Sequence, residues 1–369
     1  MIQFQEIVII GLGLMGGSLA LALRKSGYSG RIIGCDLEKD TLLEAFRMGM
    51  IDAYFQDPKS AVKNADLVIL AVPVGYYAEL FSEIASAVKQ EVIVTDLGSV
   101  KSYVEETAKE FFFDKIQFVG GHPMAGSEKG GIHAASPTLY ENAYYFITPT
   151  PDTREETVEA LENLVRNIGA FPVIVSAKEH DQIVAKISHL PHLVAVVLTN
   201  LLGREENVSC LPFVGGGFRD TTRIAAGNPD MWKDIFFYNK EEILLGIEDL
   251  QDILSEFGTL LSDGEEEHLL TTLEEAKVTR ERVPHTGKDY IPQIFDLIID
   301  VHDRPGALGD LTKLIGSAGL SIKQIEILHA REGEKGAIRM GFATKEEQEQ
   351  AFYFLRYGGF RFSYRKGVD

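Results

Sequence analysis

The stretch Ile7-Val8-Ile9-Ile10-Gly11-Leu12-Gly13-Leu14-Met15-Gly16 decides the class of fold. Its first four residues form an unbroken apolar run, which is typical of a parallel strand buried on both faces. A G-x-G-x-x-G spacing follows directly, and a helical pattern continues to about Ser26. The spacing alone also fits an ordinary turn, but its position here favours a Rossmann-type α/β domain that binds a dinucleotide. The predicted cofactor contacts in this turn are Gly11, Gly13, Leu14, Met15 and Gly16.

A carboxylate ends the next predicted strand. Arg31 to Cys35 form that strand, and Asp36 follows 20 residues after Gly16. A carboxylate at this point accepts hydrogen bonds from the adenosine ribose and repels a 2′-phosphate, so Asp36 favours NAD over NADP. Lys39 is the nearby cation that offsets this repulsion. The alternative is that Asp36 only caps a helix that begins near Asp40.

Apolar runs predict further strands at residues 67–71 and 92–95, with a helix at residues 76–88 between them. This βαβ alternation predicts a parallel sheet with right-handed crossovers. Ligands of such sheets bind at the carboxyl ends of the strands, so Val72 and Pro73 are predicted to contact the cofactor.

Ser99 lies in the loop that follows the strand at residues 92–95. It either faces the nicotinamide and the substrate or acts as a plain N-cap for a helix at residues 100–111. The sequence leaves both interpretations open.

A histidine stands among glycines in Gly120-Gly121-His122-Pro123-Met124-Ala125-Gly126-Ser127-Glu128. The glycines suit a turn that lets a ligand approach the backbone, and His122 can move a proton near neutral pH. Strands at residues 144–147 and 173–175, around a helix at residues 153–167, close a nucleotide-binding domain predicted to span residues 1–176.

Residues 177–282 have a helical pattern without a convincing strand, which predicts an all-helical domain. Two histidines, His189 and His192, lie close together near its start. Arg219 and Arg223 are four residues apart and share a face if their segment is helical. One of them can then pair with an acid while the other binds an anion.

The last part of the chain has a different organisation. Residues 283–292 contain two prolines and a glycine, and we interpret them as a linker. Residues 293–369 follow the order strand, helix, strand, strand, helix, strand. This βαββαβ order predicts a ferredoxin-like module.

Composition argues against several classes of protein. A net charge of −19 is opposite to what general nucleic-acid binding needs. Cys35 and Cys210 have no metal-ligand spacing, so we expect both to be reduced and predict no metal site. No run approaches the roughly 18 apolar residues of a membrane span, and the start lacks the features of a secretory signal. We therefore expect a cytoplasmic enzyme that binds neither nucleic acid nor membrane.

Four motifs taken together closely resemble the prephenate dehydrogenases of tyrosine biosynthesis. They are the glycine fingerprint, Gly120 to Gly126, Ser188-His189-Leu190-Pro191-His192 and Phe218-Arg219-Asp220-Thr221-Thr222-Arg223-Ile224-Ala225. The resemblance covers residues 1 to about 285. The tail, with Asp303-Arg304-Pro305-Gly306-Ala307-Leu308 and Gly319-Leu320-Ser321-Ile322, is similar over a shorter stretch to ACT domains, which commonly bind amino acids and regulate biosynthetic enzymes.

The resemblance implies oxidative decarboxylation of prephenate to 4-hydroxyphenylpyruvate with NAD⁺. His122 would accept the proton of the ring hydroxyl as a general base. Ser99 would contact His122 or the same hydroxyl, and His189 would orient the substrate. Arg223 would hold a substrate carboxylate. Arg219 and His192 fit structural roles better.

The tail also implies regulation. L-tyrosine would bind near an ACT-like interface at Asp303, Arg304, Pro305, Gly306, Ala307 and Leu308, unless the tail only aids dimerisation. The long helices predict a homodimer formed through the helical domain, since they would otherwise expose wide apolar faces.

Two rival functions remain. One is arogenate dehydrogenase, whose substrate carries an amino group in place of the keto oxygen. The other is a non-catalytic sensor of nucleotide and amino acid, which would have no chemical reason to keep His122, His189 and Arg223 together.

Overall fold

The computed structural model describes residues 4–112, 116–127, 130–283, 295–302, 304–328 and 335–362. The chain divides into two compact units, Met1–Glu281 and Arg282–Asp369. The predicted boundary at residue 176 falls inside the first unit.

An eight-stranded sheet organises the first part of this unit, in the order β3-β2-β1-β4-β5-β6-β7-β8. Neighbouring strands are parallel, except that β6 and β7 are antiparallel. The strands are β1 (Glu6–Ile10), β2 (Arg31–Cys35), β3 (Ala53–Phe55), β4 (Leu67–Leu70), β5 (Ile93–Asp96), β6 (Gln117–Pro123), β7 (Tyr144–Thr148) and β8 (Phe171–Ile174).

Helices cover both faces of the sheet, because alternate residues of the central strands belong to two separate cores. Ile7 and Ile9 of β1 pack on one face, and Val8 and Ile10 pack on the other. The unbroken apolar run is therefore a strand buried on both sides, as the sequence predicts. The helices are α1 (Leu14–Lys25), α2 (Lys39–Arg47), α3 (Pro58–Ala61), α4 (Tyr77–Ala85), α5 (Ser102–Phe111) and α6 (Glu155–Asn167).

The expectation of a parallel sheet fails at one pair of strands. Within the described part of residues 124–143, the connection between β6 and β7 contains a short 3₁₀ turn, Ile132–Ala134, and no crossover helix. Parallel neighbours are usually joined by a crossover helix, and here, without one in the described part of the connection, β7 runs antiparallel to β6. The sequence also missed the three-residue edge strand β3.

The remainder of the first unit is helical over the described residues. Two 3₁₀ turns, Glu205–Phe213 and Arg223–Ala226, separate its longer helices. Those helices are α7 (Ala177–Val184), α8 (Leu190–Leu202), α9 (Gly216–Thr222), α10 (Pro229–Tyr238), α11 (Lys240–Asp263) and α12 (Glu266–Arg282).

A π-helical turn, Ala185–His189, joins α7 to α8 into one continuous helix. Pro191 lies two residues after its end, and a proline removes one backbone hydrogen bond and crowds the preceding turn. A π turn accommodates such an irregularity, and these turns are frequent at functional sites.

The continuous helix Ala177–Leu202 has a mean hydropathy of 1.3 and is long and apolar enough to cross a membrane by length and composition alone. The sequence pattern does not reveal it as one apolar run, because charged residues interrupt its first half. Interior helices of globular proteins pass the same test. Here His180, Asp181, His189 and His192 are buried within the first unit, while the most apolar 18-residue window of the helix is 28% buried.

The second unit has the predicted βαββαβ order, with an antiparallel sheet in the order β10-β11-β9-β12. Apolar side chains of its two helices pack on one face of the sheet. Its elements are β9 (Phe295–His302), α13 (Ala307–Ser317), β10 (Gln324–Leu328), β11 (Lys335–Phe342), α14 (Lys345–Tyr357) and β12 (Arg361–Phe362). The predicted linker lies mostly outside the described residues.

Candidate active site

The three fingerprint glycines have different tasks. Gly11 has a φ of +94°, and a Cβ there would lie 2.6 Å from the carbonyl oxygen of Ala71. A Cβ on Gly16 would lie 1.9 Å from the carbonyl oxygen of Gly11, so both positions require glycine for the turn to close on the helix. A Cβ on Gly13 would meet no described atom within 4 Å. Gly13 therefore leaves open space at the start of α1, where helix N–H groups favour a phosphate.

Asp36 holds this glycine turn and stands beside it. Its Oδ2 accepts a hydrogen bond from the Leu12 N–H at 2.8 Å, and its Oδ1 accepts one from the Glu38 N–H at 3.0 Å. The first helical residue of α2 is Lys39, and no side chain caps that helix. The interpretation of Asp36 as a helix cap is therefore wrong. A carboxylate at the end of β2, next to the glycine turn, fits the ribose of a dinucleotide.

The other predicted cofactor residues border the same turn. Leu14 and Met15 are half-buried in the first turn of α1. The Val72 side chain lies so close to Gly11 that a Cβ there would be 2.7 Å from it. Pro73 is exposed just after it. These positions and the glycine turn fit a dinucleotide along the carboxyl edge of the sheet.

His122 is 7% exposed near the carboxyl end of β6. Because β6 runs parallel to β5, that end lies at the same sheet edge as the glycine turn. Its Nδ1 lies 2.8 Å from Nε2 of His180, and Nδ1 of His180 lies 2.8 Å from Oδ1 of Asp181. With Nδ1 engaged, Nε2 of His122 is the nitrogen left for a ligand.

The glycines before His122 do not form the predicted turn. Gly120 and Gly121 are buried within β6. A Cβ on Gly120 would lie 2.3 Å from Oγ1 of Thr148, and one on Gly121 would lie 2.6 Å from the carbonyl oxygen of Asp96. They are glycines because β6 packs too closely against its neighbours for side chains.

A fully buried ion pair lies beside His122. The Lys101 ammonium contacts Asp96 Oδ2, and both side chains are 0% exposed. Lys101 also donates to the Gly121 carbonyl oxygen at 2.8 Å, while the Gly121 N–H donates to Asp96 Oδ1 at 3.0 Å. Asp96 Oδ2 further accepts from the Tyr77 hydroxyl at 3.2 Å. The pair thus fixes both peptide groups of the residue that precedes His122.

Ser99 does not cap a helix. The helix begins at Ser102. The backbone N–H groups at its start, those of Lys101 and Ser102, each donate to the Asp181 carboxylate at 2.8 Å. The N-cap interpretation of Ser99 is therefore wrong. Ser99 is half-buried, and the hydrogen bonds of the described residues include none between Ser99 and His122. Of the two contacts that the family resemblance implies for Ser99, the contact with the ring hydroxyl of the substrate therefore stays a prediction.

His189 is completely buried at the end of the π turn. The Asn239 amide donates to its Nδ1 at 3.1 Å and to the Asp181 carbonyl oxygen at 3.0 Å. Neutral His189 therefore carries its proton on Nε2, which has no hydrogen-bond partner among the described residues. A buried donor without a partner fits a polar group of a substrate.

His192 is a packing residue. Its ring stacks on Trp232 with centroids 3.5 Å apart and an interplanar angle of 11°. This contact agrees with the weaker substrate role that the sequence assigns to His192.

Burial keeps these imidazoles neutral. Burial, then the nearby rings and charges of His180, Lys101 and His189, hold the pKa of His122 well below its usual value of 6.5. Burial also lowers the pKa of His189 to about 4. Burial alone would raise the pKa of Asp181, but hydrogen bonds from His180 and Ser102 lower it, so Asp181 is ionised. The site holds neutral bases beside a fixed carboxylate.

The two arginines do not share one helix. Arg219 lies in α9, which ends at Thr222, and Arg223 begins the following 3₁₀ turn. Both arginines are exposed, and the turn packs against α8. One continuous α-helix, the condition under which the two arginines would share a face, is therefore not present.

The predicted regulatory segment lies in the second unit. Asp303 is outside the described residues, and Arg304 pairs with Asp310 at 2.6 Å. Pro305 is exposed, and Gly306 is the N-cap of α13 with a φ of +87°. Ala307 is half-buried and Leu308 is exposed.

Several site residues escaped the sequence analysis: Tyr77, Asp96, Lys101, His180, Asp181 and Asn239. A signal for Asp96 was present, since it ends a strand at the ligand-binding edge. His180-Asp181 is an adjacent base and acid, but nothing local shows that they face His122. Over the described residues, no group of three or more His, Cys, Asp or Glu side chains is placed to hold a metal ion.

A glycine turn after β1 and a buried neutral imidazole at the same sheet edge define the Rossmann-type dehydrogenase class. Family models agree at finer detail: "Prephenate dehydrogenase, nucleotide-binding domain" matches residues 19–174, and "Prephenate dehydrogenase, dimerization domain" matches residues 176–275. The chain belongs to the prephenate dehydrogenase family.

Relatives of known function share most of the chain. A prephenate dehydrogenase of Bacillus subtilis is 38% identical over 348 residues, 94% of each chain. The crystal structure of prephenate dehydrogenase from A. aeolicus in complex with hydroxyphenyl propionate and NAD⁺ is 33% identical, with a TM-score of 0.72 over 77% of this chain and 99% of that chain. An arogenate dehydrogenase structure from Synechocystis is 30% identical, with a TM-score of 0.67 over 76% of this chain and 100% of that chain.

Proposed function

We propose that this chain catalyses the NAD⁺-dependent oxidative decarboxylation of prephenate to 4-hydroxyphenylpyruvate. The observation that carries the proposal is His122, a buried neutral imidazole with Nε2 available at the sheet edge that also presents the glycine turn. Family membership and the Bacillus subtilis relative support the same substrate. The glycine turn and Asp36 support NAD⁺ over NADP⁺.

Bound NAD⁺ supplies a hydride acceptor for the carbinol carbon of the substrate. His122 Nε2 accepts the hydroxyl proton as that hydride leaves, which general-base catalysis favours by about 10²- to 10⁴-fold. As the ring carboxylate departs as CO₂, its bonding electrons make the ring aromatic, and His122 returns the proton to the phenol oxygen. The atoms and electrons of prephenate and NAD⁺ are thus all accounted for in 4-hydroxyphenylpyruvate, CO₂ and NADH.

The remaining site residues orient the substrate. His189 donates from Nε2 to a substrate oxygen, because that buried N–H has no partner among the described residues. Arg223 holds a substrate carboxylate, and Ser99 contacts the ring hydroxyl. Proximity and orientation of this kind contribute much of the rate of a reaction between bound partners.

The test is NADH formation by the purified full chain, followed by absorbance, with prephenate and arogenate, each with NAD⁺ and NADP⁺. We expect the highest kcat/KM for prephenate with NAD⁺. A preference for arogenate, the substrate of the Synechocystis relative, would replace the substrate assignment and leave the chemistry intact. No NADH with either substrate would favour the sensor.

We propose that the second unit is an ACT domain that binds L-tyrosine and inhibits the enzyme. Its βαββαβ order and antiparallel sheet support a ferredoxin-like module of this kind. Removing residues from 290 onward should abolish tyrosine inhibition and leave basal kcat near that of the full chain. Unchanged inhibition would leave the tail only a role in dimerisation.

We propose that the chain forms a homodimer through its helical region. The match to a dimerisation domain supports this, and so do exposed apolar side chains on α11: Leu244, Leu245, Ile253, Leu254 and Leu261. Light scattering after gel filtration should give twice the chain mass. Leu254→Glu should shift the mass toward the monomer, and a monomeric wild-type protein would contradict the proposal.

We propose a cytoplasmic location. Cys35 and Cys210 are free, which fits a reducing compartment. Cell fractionation should recover the protein with the soluble cytosolic fraction, and recovery with membranes would assign a spanning role to the helix Ala177–Leu202.

A further inference from the structure

Three buried polar side chains of the site are connected by hydrogen bonds, and the proposed mechanism gives a role to only one of them, His122. His122, His180 and Asp181 follow one another at 2.8 Å and 2.8 Å. His122 belongs to β6 and the other two belong to α7, so the chain joins the sheet to the helical region. All three side chains are buried.

The backbone sets the far end of this chain. Asp181 accepts two backbone N–H groups from the start of α5, and the Asn239 amide holds its carbonyl oxygen. An ionised carboxylate can only accept hydrogen bonds. Nδ1 of His180 must therefore be the donor to Asp181, and neutral His180 then carries no proton on Nε2.

The acceptor state of His180 Nε2 fixes the proton position on His122. Nε2 of His180 is an acceptor, so Nδ1 of His122 must donate to it. Neutral His122 then has a lone pair on Nε2, which is the form that accepts a proton. The opposite tautomer would carry a proton on Nε2 and could not act as a base.

We infer that His180 and Asp181 are positioning residues that hold His122 in the base-competent tautomer; the inference rests on the proposed function of His122. When His122 accepts a proton on Nε2, its hydrogen bond from Nδ1 to His180 is already formed and does not have to change. The charged and titratable groups around it are Asp96 at the end of β5, Lys101 just before α5, His180 and Asp181 from α7, and His189 from the π turn. Lys101 opposes the new positive charge and Asp181 favours it.

Two substitutions of His180 separate this role from packing. The carbonyl oxygen of His180→Gln can occupy the position of Nε2 and accept from His122, whereas His180→Leu fills similar volume without an acceptor. We expect His180→Leu to lower kcat about 10- to 100-fold, with the KM values for prephenate and NAD⁺ changed less than about threefold. His180→Gln should recover most of kcat. Equal losses in both variants, or wild-type kcat in His180→Leu, would overturn the inference.

Imidazole ¹⁵N NMR of the wild-type enzyme labelled in histidine tests the tautomer without any variant. His122, assigned through His122→Asn, should carry its proton on Nδ1 and none on Nε2 near neutral pH. A proton on Nε2 would overturn the inference even if the protein oxidises prephenate. If the NMR result holds but wild type forms no NADH, the proposed function fails and the tautomer assignment stands.

Discussion

Lys101→Met probes the buried ion pair beside His122. The substitution keeps most of the side-chain volume and removes the ammonium. Asp96 would then be a completely buried carboxylate with neutral donors only, and the Gly121 carbonyl oxygen would lose its Lys101 donor. Tyr77, Gly98 and Gly121 would still donate to the carboxylate.

The expected effect is large. Breaking a buried pair by removing one partner costs about 3–5 kcal/mol, because the other charge stays buried. That is a large share of the roughly 5–15 kcal/mol that stabilises a typical domain. Lys109→Met is a matched control, since Lys109 is 61% exposed and pairs with Glu105 one helical turn away. An exposed pair contributes only about 0.3–0.5 kcal/mol.

Urea denaturation followed by the fluorescence of Trp232, the single tryptophan, reports the unfolding of the first unit. Asp96→Asn combined with Lys101→Met removes both charges and should recover at least about 1 kcal/mol relative to Lys101→Met alone. A loss below about 1 kcal/mol in Lys101→Met would refute the reasoning. So would a double variant less stable than the sum of the two single changes.

Further predictions concern pH, the cofactor turn and substrate charge. The pKa of His189 is about 4 in the folded protein against a usual 6.5. Between these pH values the unfolded chain binds a proton that the folded protein does not, so the free energy of unfolding falls as pH falls from 6.5 toward 4. His189 alone should contribute about 2 kcal/mol of the stability lost between pH 7 and pH 5, so His189→Gln should lose less than the wild type, and equal shifts of the urea midpoint in the two proteins would contradict this. Gly13→Ala should weaken NAD⁺ binding in calorimetry with little change in Tm, whereas Gly16→Ala should lower Tm because its Cβ would meet backbone; equal Tm losses would rule out separate tasks. Arg223→Ala should raise KM for prephenate at least about tenfold and leave the Kd for NAD⁺ unchanged, while parallel losses would indicate a folding role.

Local patterns carried most of the fold. The apolar run Ile7 to Ile10 and the glycines after it are sufficient to predict β1, the turn and α1. The features that define these elements, burial on both faces of the strand and a close turn into the helix, are set by residues adjacent in sequence. The antiparallel entry of β7 was not predictable in the same way, because it depends on a long connection without a helix.

The site was predicted only in part, for a related reason. His122 and His189 stand in distinctive motifs, but the partners that set their protonation come from distant elements. His180 is 58 residues from His122, and Asn239 is 50 residues from His189. The Gly120-Gly121 pair is an instructive error: the sequence shows two residues without side chains, and only the packing shows that β5 and β7 occupy that space.

The most direct test of His122 as the base is single-turnover NADH formation by His122→Asn, measured together with the Kd of this variant for NAD⁺. His133→Asn, an exposed histidine in the loop after β6, is the control. We expect His122→Asn to bind NAD⁺ as the wild type does and to form NADH about 10²- to 10⁴-fold more slowly, while the control is unaffected. A His122→Asn enzyme that oxidises prephenate at the wild-type rate would contradict the assignment of His122 as the base.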